Sequence, residues 1–245
     1  MKQVFKAFFM CLGMFSSIPC PYRPWDEEAR GLMTACLPLV GAVIGLIWWL
    51  AAIVARVFLP EPLCAALIAG LPFLLTGFMH LDGFMDTSDA VLSWRPLEDR
   101  LRILKDSHTG AFAVVNLSVL MMFMYAAASS VVDRDLRILV LIPVVSRCSS
   151  AFCVTSLKPL GHSEYKGRSG SAAQRMAIIA IWAIAIAAGF IWLGRPGFAL
   201  IIQTACYAAA MGYVFRILKG VSGDLAGYSL CISELCALIA LSVIH

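Results

Sequence analysis

Seven apolar runs, each near the length that crosses a lipid bilayer, constrain this chain more than any other feature. They lie at about 32–58, 62–80, 110–131, 138–156, 176–194, 198–217 and 229–245. A transmembrane helix needs roughly 20 mostly apolar residues. The chain is 61% hydrophobic and only 14% charged, against about 25% charged for a soluble domain. The predicted fold class is therefore all-α, a polytopic integral membrane helical bundle with about seven spans. A shorter run at 4–18, VFKAFFMCLGMFSSI, stops at Pro19 and reads as a re-entrant or interfacial N-terminal helix, or as an eighth span. Lys2 and Lys6 precede it, but Pro19, Pro21 and Pro24 crowd its exit, so it does not read as a cleavable signal. With no internal repeat and no linker, residues 1–245 read as one integral membrane domain.

The nine cysteines form no CxxC pair and most sit inside apolar runs, which points to buried free thiols rather than a metal site or disulfides. A net charge of +4 without a basic tract speaks against nucleic-acid binding.

Orientation follows from Lys and Arg near the span ends. One side carries Arg23, Arg30, Arg95, Arg100, Arg102, Lys105, Lys158, Lys166, Arg168, Arg175, Arg216 and Lys219; the other carries Arg56, Arg134, Arg137 and Arg195. The richer side is expected to be cytoplasmic. Four polar stretches share that side: HLDGFMDTSD, LKDSHTG, GHSEYKGRSG and GVSGDLAG. A common active site is the economical account.

In HLDGFMDTSD, Asp82, Asp86 and Asp89 recur at helical spacing and fall on one face. Carboxylates so close repel one another unless a cation neutralises them. Hard oxygen donors suit Mg²⁺, which typically takes one or two protein carboxylates plus substrate phosphates. At the mouth of an apolar span such residues are functional by default, although helix-capping aspartates in a solvated loop are the plain alternative. Asp89 stands between ligand, base and cap. His80 reads as a substrate contact, a base or an incidental interfacial residue.

WRPLEDRLRILKDSHTG carries an apolar stripe of Leu97, Leu101 and Leu104 beside Arg100, Arg102 and Lys105, as in a helix lying along the headgroups. Lys105, Asp106 and Ser107 come just before Gly110 and the next span, where a helix start with free N–H groups would favour an anionic ligand. Arg147 sits within LIPVVSRCSSAF, so it must face a cavity or a carboxylate, either as a structural partner or as a phosphate clamp. Glu234, in the last span, reads as part of a structural pair. In GVSGDLAG three glycines around Asp224 suit close backbone approach to a ligand, with Asp224 as another metal or hydroxyl contact, against a flexible loop. GHSEYKGRSG, with Tyr165, Lys166 and Arg168, reads as a substrate flap or a solvated loop. No GxSxG, P-loop, HExxH or GxGxxG motif is present.

HLDGFMDTSDA, RLRILKDSHTGAF and GVSGDLAGY, with FSSIPCP and LPLVGAVIG upstream, together resemble the cobalamin synthase (adenosylcobinamide-GDP ribazoletransferase) family over most of the chain. Departures are Gly83-Phe84-Met85-Asp86 where the family commonly has Gly-Leu-Ala-Asp, Ala90 for a glycine, and His108 for an arginine. The resemblance implies a multi-pass enzyme of the bacterial or archaeal inner membrane that uses Mg²⁺ and faces the cytoplasm. It would join α-ribazole, or its 5′-phosphate, to adenosylcobinamide-GDP and release GMP. Asp82 and Asp86, with Asp89, would hold the metal, and Asp89 is also the candidate to accept the hydroxyl proton. Lys105 and Arg147 would hold phosphates, and His80, Asp106, Ser107 and Asp224 would contact substrate. A homo-oligomer is compatible with this reading. Two alternatives are a CDP-alcohol phosphotransferase, whose DGxxAR spacing is absent, and a cation transporter with an aspartate site.

Overall fold

A bilayer offers backbone N–H and C=O groups no water, so apolar segments close their own hydrogen bonds as helices. The computed structural model describes residues 2–161 and 170–244. Among the described residues there is no strand, only one isolated bridge between Pro159 and Val221. The helices are α1 (Lys2–Phe15), α2 (Glu27–Arg30), α3 (Met33–Phe58), α4 (Glu61–Leu75), α5 (Met79–Leu92), α6 (Leu97–Ile103), α7 (Ala111–Val131), α8 (Ile142–Ser156), α9 (Ala172–Leu193), α10 (Phe198–Leu218) and α11 (Gly223–Val243). Short 3-10 turns, Leu136–Val140 and Arg195–Gly197, lead into α8 and α10. The result is an all-α polytopic membrane bundle.

Among the described residues, six stretches are long and apolar enough to cross a membrane: α3, α7, Leu136–Ser156, α9, Arg195–Leu218 and α11. The run read as a span at 62–80 behaves differently. It ends as α4 at Leu75 and turns by 90° into α5, so a seventh crossing exists only as this bent pair. With 15 residues, α4 is about 22 Å long at 1.5 Å per residue, short of the roughly 30 Å hydrocarbon core. The cause of the break is local. Gly77 and Phe78 both have positive φ, 59° and 62°, a backbone state that ends a right-handed helix. The released carbonyls of α4 then find a distant partner: Ser17 donates its backbone N–H to Leu75 O and its hydroxyl to Leu74 O, at 2.9 and 2.6 Å.

The first run forms α1, whose 14 residues span about 21 Å. It does not cross. Its start lies by the beginning of α3, where Cys36 Sγ meets Val4 O at 4.0 Å. Its end, Phe15, shares a cavity wall with Leu37 of α3. It therefore lies across one end of the bundle, clasped by the Lys6–Asp26 ion pair at 2.6 Å, as a re-entrant or interfacial helix would. The last span also begins earlier than its hydropathy implies, at Gly223 rather than 229, because Ser222 caps it by accepting from Leu225 N–H.

Burial orders the helices. In the span containing α8, 78% of the apolar stretch is buried inside the protein, against 17% for α9. So α8 is the axis and α9 an outer helix with most of its apolar surface turned outward. Glycines set the closest crossing: a Cβ at Gly41 or Gly45 of α3 would stand 2.4 and 2.3 Å from the carbonyl oxygens of Pro143 and Val140. Small residues at a membrane helix interface permit this approach. All nine cysteines are unpaired, as expected of small apolar side chains.

The polar segments gather at one end. Gln174 at the start of α9 donates to Gly31 O at 2.9 Å, and Leu160 N–H donates to Val221 O at 2.9 Å. Residues 162–169, the greater part of GHSEYKGRSG, lie outside the described residues.

Candidate active site

HLDGFMDTSD is helical over its whole length, as α5, and packs chiefly against α11 and α7. The α5–α11 crossing is very close. A Cβ at Gly83 would stand 2.7 Å from Asp224 Cα, and one at Gly227 would stand 3.0 Å from His80 O. Phe84 and Tyr228 stack beside this crossing with ring centroids 5.3 Å apart. Glycine at 83 and 227 thus seats Asp224 against α5, far from it in the chain but adjacent in space.

Burial rises along the aspartate stripe. Asp82 is exposed, Asp86 half-buried and Asp89 buried. Asp89 is engaged: its two carboxylate oxygens accept from Gly110 N–H at 2.6 Å and Ala113 N–H at 2.8 Å. A Cβ on Gly110 would stand 2.7 Å from that carboxylate. Of the three roles open to Asp89, the structure displays the cap, and it caps the following helix rather than its own. This changes the reading of LKDSHTG as well. The start of α7 already binds an internal carboxylate where an external anion was expected.

Asp82 and Asp86 have no ion-pair partner among the described residues. Asp82, Asp224 and Asp89 all lie within electrostatic reach of Asp86. Asp82 and Asp86 therefore concentrate negative charge here, neither of them in an ion pair with a described residue. No three Asp, Glu, His or Cys side chains converge there into a ready-made metal site. The donor set still suits a hard cation that brings its own phosphate ligands: two carboxylates one helical turn apart, with a third beside them.

Beside this ledge opens a cavity of about 530 Å³. Its wall draws on six parts of the chain: Met14 and Phe15 at the end of α1, Leu37 of α3, Met79 and His80 of α5, Leu104 and Lys105, Arg147 and Ser150 of α8, and Ser222 to Leu230 along α11. Asp224 stands on both the cavity and the aspartate side. Of the residues singled out from sequence, His80, Lys105, Arg147 and Asp224 meet at this cavity. Asp82 and Asp86 lie on the adjacent stripe. Asp106 and Ser107 do not line it and are exposed. Asp106 instead accepts from His108 N–H and contacts His108 Nδ1 at 2.6 Å, and this partner holds its carboxyl below the usual carboxylate range.

Arg147 resolves clearly. Its guanidinium pairs with Glu234, both side chains being 2% exposed. Ser146 Oγ donates to the same Glu234 oxygen at 2.7 Å. A buried arginine requires such a partner, and of the two roles open to Arg147 the structure displays the structural pair, with Glu234 of α11. Ser150, Ser222 and the α1 residues were not legible as wall residues. Ser150 alone carried a signal, lying one turn after Arg147 on the same helix face.

The chain matches the family model described as cobalamin-5-phosphate synthase over residues 7–242. A Clostridium perfringens (strain SM101 / Type A) protein named adenosylcobinamide-GDP ribazoletransferase is 36% identical over 259 residues, covering 100% of each chain. A protein of that name from Clostridium botulinum (strain Alaska E43 / Type E3) is 36% identical over 248 residues, covering 98% of each. Another, from Lachnoclostridium phytofermentans, is 29% identical over 243 residues, 97% of this chain and 93% of its own. No solved structure matches. With full-length relatives and a model that spans nearly every residue, the chain belongs to the cobalamin-5-phosphate synthase family.

Proposed function

We propose that this protein is an adenosylcobinamide-GDP ribazoletransferase of cobalamin biosynthesis, working at the cytoplasmic face of the inner membrane. It joins α-ribazole, or its 5′-phosphate, to adenosylcobinamide-GDP. The ribazole hydroxyl oxygen forms a bond to the phosphorus on the cobinamide arm. The bond from that phosphorus to the bridging oxygen breaks, GMP leaves with the oxygen, and the hydroxyl gives up its proton.

The observation that best supports this reading is the meeting of the three quoted motifs in a chain whose full-length relatives carry that name. HLDGFMDTSD, LKDSHTG and GVSGDLAG each contribute to one cavity wall or to the ledge beside it. The CDP-alcohol and transporter readings draw no support from the relatives.

Asp82 and Asp86 would hold Mg²⁺, which when bound would neutralise charge on the diphosphate and the departing GMP. Lys105, exposed at the cavity wall, pairs with a phosphate oxygen. Asp224, between cavity and ledge, orients the attacking hydroxyl. The apolar walls exclude water that would otherwise compete as nucleophile. Asp89 serves indirectly by anchoring α7 to α5. The excess of Lys and Arg at the motif-bearing end supports the cytoplasmic orientation.

Purified protein supplied with adenosylcobinamide-GDP, α-ribazole and Mg²⁺ should yield GMP and the joined corrinoid in equal amounts by mass spectrometry. Absence of both products would count against the assignment.

A further inference from the structure

The two substrates named by the relatives differ greatly in size, and the cavity can enclose only one of them. Cavities of roughly 300–1,000 Å³ suit small ligands. At about 530 Å³, this one holds a nucleoside, whereas a corrinoid carrying a nucleotide exceeds it several-fold. We infer that the cavity is the subsite of the ribazole nucleoside, with its aromatic base at the deep end, and that the adenosylcobinamide-GDP diphosphate lies outside along the aspartate ledge.

Charge separates the ends in the same sense. Arg147 lies nine residues before the end of α8 at Ser156, roughly 13 Å of helix inward. Its charge is cancelled by Glu234, so the deep end offers N–H and, from Ser150, O–H donors without net positive charge. That arrangement suits a neutral acceptor such as a heterocycle nitrogen, not a phosphate. Around it, Met14, Phe15, Leu37 and Leu230 provide apolar surface for an aromatic base. At the other end, Lys105 has no ion-pair partner among the described residues and Asp224 faces the ledge. A nucleoside bound base-inward directs its ribose hydroxyls toward that ledge, where the diphosphate is attacked.

This inference rests on the ribazoletransferase reading, and its test separates the two. Binding of α-ribazole and of adenosylcobinamide-GDP to the full-length protein in nanodiscs is measured separately by calorimetry. The proteins are wild type, Ser150→Phe, which fills the deep end, and Ala226→Val, a milder change in the same wall. The expected result is α-ribazole binding weakened at least about tenfold in Ser150→Phe and by less in Ala226→Val, with adenosylcobinamide-GDP affinity retained. Should Ser150→Phe fail to fold, Ala226→Val carries the comparison alone. Loss of adenosylcobinamide-GDP binding with α-ribazole affinity unchanged, or no change in either, overturns the subsite while leaving the function intact. A wild-type protein that binds neither compound and releases no GMP overturns the function, and the subsite with it.

Discussion

Two charged clusters stand a few turns apart in this molecule and are built on opposite plans. Inside the bundle, Arg147 and Glu234 neutralise one another, with Ser146 taking part. At its polar end, Asp82 and Asp86 collect negative charge beside Asp224, and neither of the two has an ion-pair partner among the described residues. LPLVGAVIG serves the first cluster: a Cβ at Gly41 would reach 3.0 Å from Arg147 Cδ. HLDGFMDTSD and GVSGDLAG serve the second, through Gly83. A complete pair needs nothing from outside and answers to folding. An incomplete one is a strain the fold tolerates for a ligand. The two clusters should therefore respond to mutation with opposite signs in stability and activity.

The largest expected effect is on the incomplete cluster. Asp82→Asn with Asp86→Asn should lower GMP release by about a hundredfold or more. Thermal stability in detergent should hold or rise, since like charges are removed. A parallel loss of both would erase the distinction. Glu234→Ala should do the reverse to the complete pair. It leaves a buried guanidinium without its counter-charge and should destabilise by about 3–5 kcal/mol. The double change Arg147→Met with Glu234→Leu should restore stability to near wild type, read by thermal or SDS unfolding. If the double variant is no better than the single one, the pair is more than mutual neutralisation.

Gly83→Ala tests the crossing that joins the ledge to the cavity. A Cβ 2.7 Å from Asp224 Cα must push α11 away, at about 1–3 kcal/mol, with a fall in activity that tracks the displaced Asp224. Asp89→Ala removes the cap of α7 and should cost about 1–2 kcal/mol. It should also loosen amide hydrogen exchange at Gly110 and Ala113 more than elsewhere.

The smallest effect is at the Lys6–Asp26 clasp of α1. The hydrogen bond to Lys6 holds the Asp26 carboxyl below the usual range, and Asp26 raises Lys6 in turn. Its contribution is therefore present above the ordinary carboxylate pKa and is lost as pH falls through the depressed Asp26 value. At the alkaline end it is lost as pH rises through the raised Lys6 value. Exchange protection of α1 should follow that window in wild type and be flat in Lys6→Ala.

Most of the fold was legible because hydropathy reports burial in lipid directly. Arg147 and Glu234 were legible as charges that needed partners, since a bare charge in an apolar span has no other solution. The elbow at Thr76–Phe78 was not. Hydropathy runs unbroken through it, and the break depends on left-handed backbone at Gly77 and on carbonyls satisfied by Ser17, far away in sequence. Asp89 was ambiguous for a related reason: a carboxylate beside two other carboxylates looks like a ligand until the helix it caps is seen. The cavity was hidden because its apolar wall comes partly from α1, whose Met14 and Phe15 look like any other core residues.

If Asp82 and Asp86 await a cation brought together with a diphosphate, GMP release must depend on that cation. The decisive measurement titrates Mg²⁺ into purified protein with saturating adenosylcobinamide-GDP and α-ribazole while following GMP release. The expected result is no release without divalent cation, saturable release as Mg²⁺ is added, and near-complete loss of that response in Asp82→Asn/Asp86→Asn. Release at the wild-type rate in the double variant, or in the presence of excess EDTA, would contradict it.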